Sequence, residues 1–203
     1  MKEGKMKNTT IASLLLLVLG ISGIAGIAVS LFTLYGNPNA PAPISVQAMT
    51  EKSIKKEAKY ERKLRAYHRA TVAARNTYRR LGCNPQYADL TGQIAVDFEL
   101  SPRLLAGVVF VESSCRPSVV SERGSVGLTG VNARVWHYTR AELKNPRRNL
   151  EAGARILSAY IRMFGVVEGL HRYNGLGNHT NSYAAKVYTA AGFKIDFSTE
   201  GAS

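Results

Sequence analysis

The chain of 203 residues carries 27 Lys and Arg against 14 Asp and Glu, a formal net charge of +13, and 45% of its residues are hydrophobic. That length allows one domain of ordinary size plus tails and excludes several full catalytic domains, while the apolar content excludes a wholly disordered chain. Two cysteines, Cys83 and Cys115, are too few for a multi-disulfide scaffold or a four-cysteine zinc site. His68, His137, His171 and His179 lie at no metal-ligand spacing, so neither metal nor cofactor is expected.

In chain order, residues 1–10 hold three Lys and one Glu and read as a short cytoplasmic N-terminus. Residues 11–35 then run for 25 positions without a charge, long enough to cross a bilayer as one helix. Lys2, Lys5 and Lys7 precede this run, so the positive-inside rule places the N-terminus inside and the remainder outside. Small residues at Gly23-Ile24-Ala25 and Gly26-Ile27-Ala28 also suit a signal peptidase, so an uncleaved anchor and a removed signal peptide both stay open. Residues 36–50 include Pro38, Pro41 and Pro43 and read as an extended linker.

Residues 51–82 carry eleven basic and three acidic residues. Ile54, Ala58, Leu64, Tyr67, Ala74, Tyr78 and Leu81 recur there at mostly three- or four-residue steps, which predicts a basic helix. Such a helix is either a solvated element packed on the domain or one held near anionic lipid or wall polymer. Residues 83–203 are nearly balanced in charge and predict a mainly α domain. A first helix is expected over 87–98. A second starts at Ser101-Pro102 and takes its apolar body from 104–113. A third is capped by Asn149, continues to Phe164 and stops at Gly165. Two more are expected over 166–173 and 182–191. Strand signals are sparse.

One carboxylate stands out. Glu112 closes an apolar run and shares a helical face with Leu105, Val108 and Val109. A carboxyl group among apolar neighbours loses hydration, which raises its pKa toward what a general acid needs near neutral pH. A surface Glu at a helix end fits the same segment equally well.

The residues that follow add a pattern. Glu112-Ser113 is followed by Pro117, five residues after the Glu, and Ser121, nine after it. Gly127-Leu128 comes next, then Asn149 with Gly153, then Tyr173-Asn174-Gly175. This resembles the catalytic domain of lytic transglycosylases of the soluble-lytic-transglycosylase type, relatives of goose-type lysozyme, over roughly residues 84–192. The resemblance implies a lysozyme-like helical fold, with Glu112 as the sole catalytic acid/base. It also implies that Ser121 sits by the reacting sugar, that Tyr173 helps hold the Glu, that Leu128 borders the sugar cleft, and that Asn174 shapes the turn beside it. Where the family has Met-Gln after Gly-Leu, this chain has Thr129-Gly130, so a sugar-binding Gln side chain is absent and altered substrate handling is expected.

The implied reaction is non-hydrolytic. The Glu protonates the oxygen between N-acetylmuramic acid and N-acetylglucosamine, the muramoyl N-acetyl group helps stabilise C1, and the Glu then acts as base on the muramoyl 6-hydroxyl. A 1,6-anhydro ring closes. Most glycosidases pair two carboxylates, and substrate-assisted ones are an exception; the matched motifs hold one. Glu122, Asp97 and Glu99 have no counterpart in the pattern. The implied partners are peptidoglycan glycan strands and, through the anchor, the membrane. The implied location is the periplasmic side of the inner membrane, an oxidising compartment where Cys83 and Cys115 either pair or remain buried thiols.

A lysozyme-like hydrolase, a non-catalytic wall-binding module of a membrane machine, and a basic nucleic-acid binder are the rival readings. The last lacks any nucleic-acid signature. Phage entry or lysis, secretion, conjugation and wall turnover would all use this layout.

Overall fold

The computed structural model describes residues 46–175 and 182–194. The expected anchor at 11–35, the tail before it and the linker prolines lie outside the described residues. Among the described residues, no helix is long and apolar enough to cross a membrane. The chain divides into two compact units, Met1–Tyr60 and Glu61–Ser203. In the first, residues 46–60 are helical and residues 50–60 are exposed, with a solvated Lys55–Glu51 pair at 3.8 Å.

The elements are α1 (Val46–Arg80), a 3-10 turn (Pro85–Tyr87), α2 (Ala88–Asp97), α3 (Pro102–Ser113), β1 (Ser125–Val126), β2 (Val131–Asn132), α4 (Arg140–Lys144), α5 (Pro146–Phe164), α6 (Val166–Asn174) and α7 (Ser182–Ala191). The described architecture is mainly α, as the sequence predicts. β1 and β2 form one short antiparallel pair, with Ser125 opposite Asn132.

Three boundaries differ from the sequence expectation. Helix α1 starts at Val46, inside the segment read as linker. The second compact unit starts at Glu61 and so takes in residues 61–80 of the basic helix. Ala70, Ala74 and Tyr78 of α1 are buried, and the Tyr78 hydroxyl bonds Thr91 Oγ1 of α2 at 2.7 Å. Gly92 makes that close approach possible, because a Cβ there would lie 2.5 Å from the Thr71 backbone nitrogen.

The third difference concerns the cap of α5. Asn145, not Asn149, caps this helix: its side chain accepts from Arg148 N at 3.1 Å, and Pro146 fills the first helical position. A proline there needs no amide hydrogen and already has a helical φ. The Asn-Pro pair was the better start signal.

The expected start of α3 is present. Ser101 accepts from Leu104 N at 3.4 Å ahead of Pro102. The helix ends where Ser114 and Cys115 take positive φ values of 49° and 63°. Cys115 is disulfide-bonded to Cys83, which ties the end of α3 to the loop after α1 across 32 residues. In a chain-entropy account such a cross-link is worth about 3–4 kcal/mol.

Two apolar clusters make the core. The larger is built from α1, α2, α3, α5, α6 and α7 and includes Leu105, Val108, Val109, Leu150, Leu157, Leu170 and Val187. Gly107 lets α7 come close to α3, since a Cβ there would meet Val187 O at 2.8 Å. The smaller cluster, Val126, Val131, Ala133, Leu143, Ala152 and Ile156, lies under the β pair. Tyr173 packs against both.

Candidate active site

Glu112 is the penultimate residue of α3, and its helix neighbours Leu105, Val108 and Val109 are completely buried. The carboxylate itself is half-buried and faces a cleft of about 760 Å³. Both of its oxygens are closely surrounded. Tyr183 of α7 donates its hydroxyl to Glu112 Oε1 at 2.5 Å. On the other side, the backbone of Gly130 lies so near Oε2 that a Cβ there would collide with it, and Gly130 has a φ of +61° that favours glycine. Burial raises the Glu112 pKa, and the Tyr183 hydrogen bond partly opposes the rise. Burial, and the nearby Glu112 charge, push Tyr173 and Tyr183 above the ordinary phenol range, so both are neutral donors at neutral pH.

Thr129 and Gly130 occupy the positions where the resemblance led one to expect Met-Gln. Thr129 is completely buried and bonds Asn149 through two groups: its amide donates to Asn149 Oδ1 at 2.8 Å, and its hydroxyl has one proton to share between Asn149 Oδ1 at 2.7 Å and Asn149 O at 3.0 Å. Asn149 Nδ2 donates to Val126 O at 2.7 Å and Leu143 O at 3.0 Å. This buried amide therefore uses both donors and both acceptor sites. Gly153, one helical turn on, leaves the space that the Thr129 side chain fills. The departure from Met-Gln thus exchanges a side chain near the carboxylate for a buried lock on α5.

The residues singled out from sequence fall into two groups. Glu112, Ser121, Tyr173 and Asn174 all line the one cleft. Tyr173 does not bond the Glu; its hydroxyl donates to Thr129 O at 2.7 Å, so it holds the segment that leads into Gly130. Ser121 is exposed, and its Oγ accepts from Ser125 N at 3.0 Å, so the same hydroxyl closes its turn and faces the cleft. Leu128 is a correction: it is completely buried in the larger core and does not line the cleft. Its contribution is through its carbonyl, which accepts from Ser113 Oγ at 2.9 Å and so ties the glycine-rich segment to the end of α3.

Sequence reasoning missed Tyr183, which fell inside the last expected helix and was not singled out. Its partner is 71 residues away, and no local spacing signals such a contact. It also missed Trp136 on the cleft wall. Among the described residues, no cluster of three or more His, Cys, Asp or Glu side chains could hold a metal ion. Glu122 lines the cleft as well, but it is exposed to solvent.

Comparison with known proteins points the same way as the geometry. An endo-type membrane-bound lytic murein transglycosylase A of Cronobacter sakazakii is 33% identical over 97 residues, covering 42% of this chain and 47% of that protein. The corresponding protein of an Enterobacter species is 32% identical over 97 residues, with the same coverage. A transglycosylase of Enterobacteria phage PRD1 is 33% identical over 112 residues, covering 50% of this chain and 42% of the phage protein. The chain therefore spans less than half the length of these relatives. The family model for the transglycosylase SLT domain matches residues 89–195, from α2 through α7 and so across every residue placed around Glu112. The chain belongs to the transglycosylase SLT domain family.

Proposed function

We propose that this protein is a peptidoglycan lytic transglycosylase in which Glu112 is the single acid/base. The observation that carries the reading is the carboxylate itself: one Glu, half-buried at the cleft, with its pKa raised by burial and its Oε1 held by Tyr183. Protonated, it can donate to the glycosidic oxygen between N-acetylmuramic acid and N-acetylglucosamine. Ionised after that step, it can take the proton of the muramoyl 6-hydroxyl as that oxygen attacks C1 and closes the 1,6-anhydro ring. The Tyr183 bond suits both states, because it lowers the cost of the carboxylate without removing the burial that favours the acid. Ser121 lines the cleft where a hydroxyl can orient the muramoyl acetamide.

The relatives' names include membrane-bound proteins, and the uncharged run at 11–35 supports an anchor that leaves the domain on the outer face of the cytoplasmic membrane. Glu122 on the same cleft keeps a hydrolase as the second reading, since a further carboxylate could activate water. The full chain is incubated with purified peptidoglycan and its products weighed by mass spectrometry. Muropeptides with 1,6-anhydromuramoyl ends are expected, and Glu112→Gln lowers their release by about a thousandfold or more. Reducing muramoyl ends as the sole product would make the enzyme a hydrolase; unchanged release from Glu112→Gln would remove the mechanism.

A further inference from the structure

The cleft has a second feature that the chemistry at Glu112 does not use. Trp136 is the only tryptophan in the chain, and it lines the cleft while remaining 39% exposed. Its neighbour on the cleft wall, Val135, is 63% exposed. Val135 and Trp136 thus leave adjacent apolar surface on the wall of a cleft that also carries polar groups.

The ring is presented by a fixed turn. Asn132 Oδ1 accepts from Arg134 N at 3.1 Å and Val135 N at 3.3 Å, and Asn132 Nδ2 donates to Arg123 O at 2.9 Å. The Trp136 amide donates to Asn132 O at 3.1 Å. The indole also rests against Tyr160, with ring centroids 6.2 Å apart and planes at 71°. This packing and bonding hold the side chain at the wall before any ligand arrives. The same cleft carries hydroxyl, guanidinium and amide groups from Ser121, Arg123 and Asn174. An apolar ring beside several polar groups matches a pyranose, which has a C–H face to lay on the ring and hydroxyls at its edge to hydrogen-bond the rim.

We propose that Trp136 is the stacking platform of a sugar subsite in this cleft, taking the C–H face of an N-acetylhexosamine ring of the glycan strand. The inference rests on the reading of the cleft as glycan-binding and deepens it. It makes part of substrate affinity depend on an indole in a turn distinct from every element that holds Glu112. Its loss therefore raises KM and leaves kcat nearly intact.

The single tryptophan makes the ring its own reporter. The full chain carrying Glu112→Gln is titrated with the tetramer of N-acetylglucosamine, with binding followed by calorimetry and by tryptophan emission. A saturable emission change with the calorimetric midpoint is expected. Trp136→Ala weakens binding by about tenfold, and Trp136→Phe recovers most of the loss. In the active protein, Trp136→Ala raises KM on peptidoglycan by a similar factor while kcat stays within about twofold. Heat released without any emission change, or Trp136→Ala binding as tightly as the parent, overturns the platform. Failure of the catalytic reading looks different: the emission change persists while no anhydro product forms. No binding by either method overturns the platform outright.

Discussion

The two walls of the cleft are built by different means. The wall that carries Glu112 stands on the larger core: α3 brings the carboxylate, α7 brings Tyr183, and Gly130 closes on the far oxygen. The stretch with Ser121, Arg123 and Trp136 is irregular chain over six buried residues, steadied by a two-residue strand pair and side-chain turns. As the proposed acid/base, Glu112 needs one position and a shifted pKa, and the packed core supplies both. A rim that meets a long polymer can be held by local turns, because its contacts are spread over several groups. Asn149 joins the two walls, since it bonds Thr129 beside Gly130 and Val126 under the rim.

The sharpest way to break the contrast is Gly130→Ala. An added methyl collides with Glu112 Oε2 and sits at a φ unfavourable to alanine. Turnover should fall by about a hundredfold or more, since displacing a reacting group by an ångström costs about that much. Peptidoglycan turbidity loss measures it, and near-normal rates would mean that the carboxylate has room to move. Next comes Asn149→Ala, which leaves Thr129 N without its acceptor and takes the side-chain amide from Val126 O and Leu143 O in a buried site, while the Thr129 hydroxyl keeps only the Asn149 carbonyl. At about 1–3 kcal/mol for an unsatisfied buried group, denaturant unfolding should show a loss of at least about 3 kcal/mol.

Tyr183→Phe tests the pKa balance within the packed wall. It should slow turnover by about tenfold. The lost hydrogen bond was lowering the Glu112 pKa against the effect of burial, so its removal raises that pKa further. Activity begins from the protonated acid and falls as pH rises through the Glu112 pKa; the alkaline limb of the pH–rate profile therefore moves to higher pH. A limb that stays or moves down would show that Tyr183 does not act through Glu112. The smallest effect is expected on the rim. Ser121→Ala should cost about tenfold or less in kcat/KM, the value of one neutral hydrogen bond. If it lowers the melting temperature while folded protein keeps full specific activity, Ser121 serves only the turn it closes with Ser125.

Much of this was legible in the chain. The apolar run before Glu112 and the start signal at Ser101-Pro102 gave α3, and Gly165 gave the end of α5. These signals are local: a cap or a proline acts on amides within one turn. Tyr173 was placed in the right neighbourhood with the wrong partner, because the chain reveals that a phenol is near a site but not which oxygen receives its proton. Leu128 was placed at the cleft, whereas its side chain went to the core and only its carbonyl serves the site. Asn149 was assigned a cap because an Asn near a helix start is commonly one. Four bonds, to Thr129, Val126 and Leu143, show a larger role than any local rule contains.

The helical character of the domain, the candidate carboxylate Glu112 and the order of the segments around it were readable along the chain, because periodicity, caps and motif spacing act over a few residues. The folded chain alone reveals that Tyr183 meets Glu112, that Gly130 must lack a side chain, that Thr129 and Asn149 form one buried lock, and that Trp136 stands on the cleft wall. Each of those facts depends on how closely two elements remote in the chain approach. That distance is set by packing in the two cores, where a missing Cβ or a satisfied amide decides what fits.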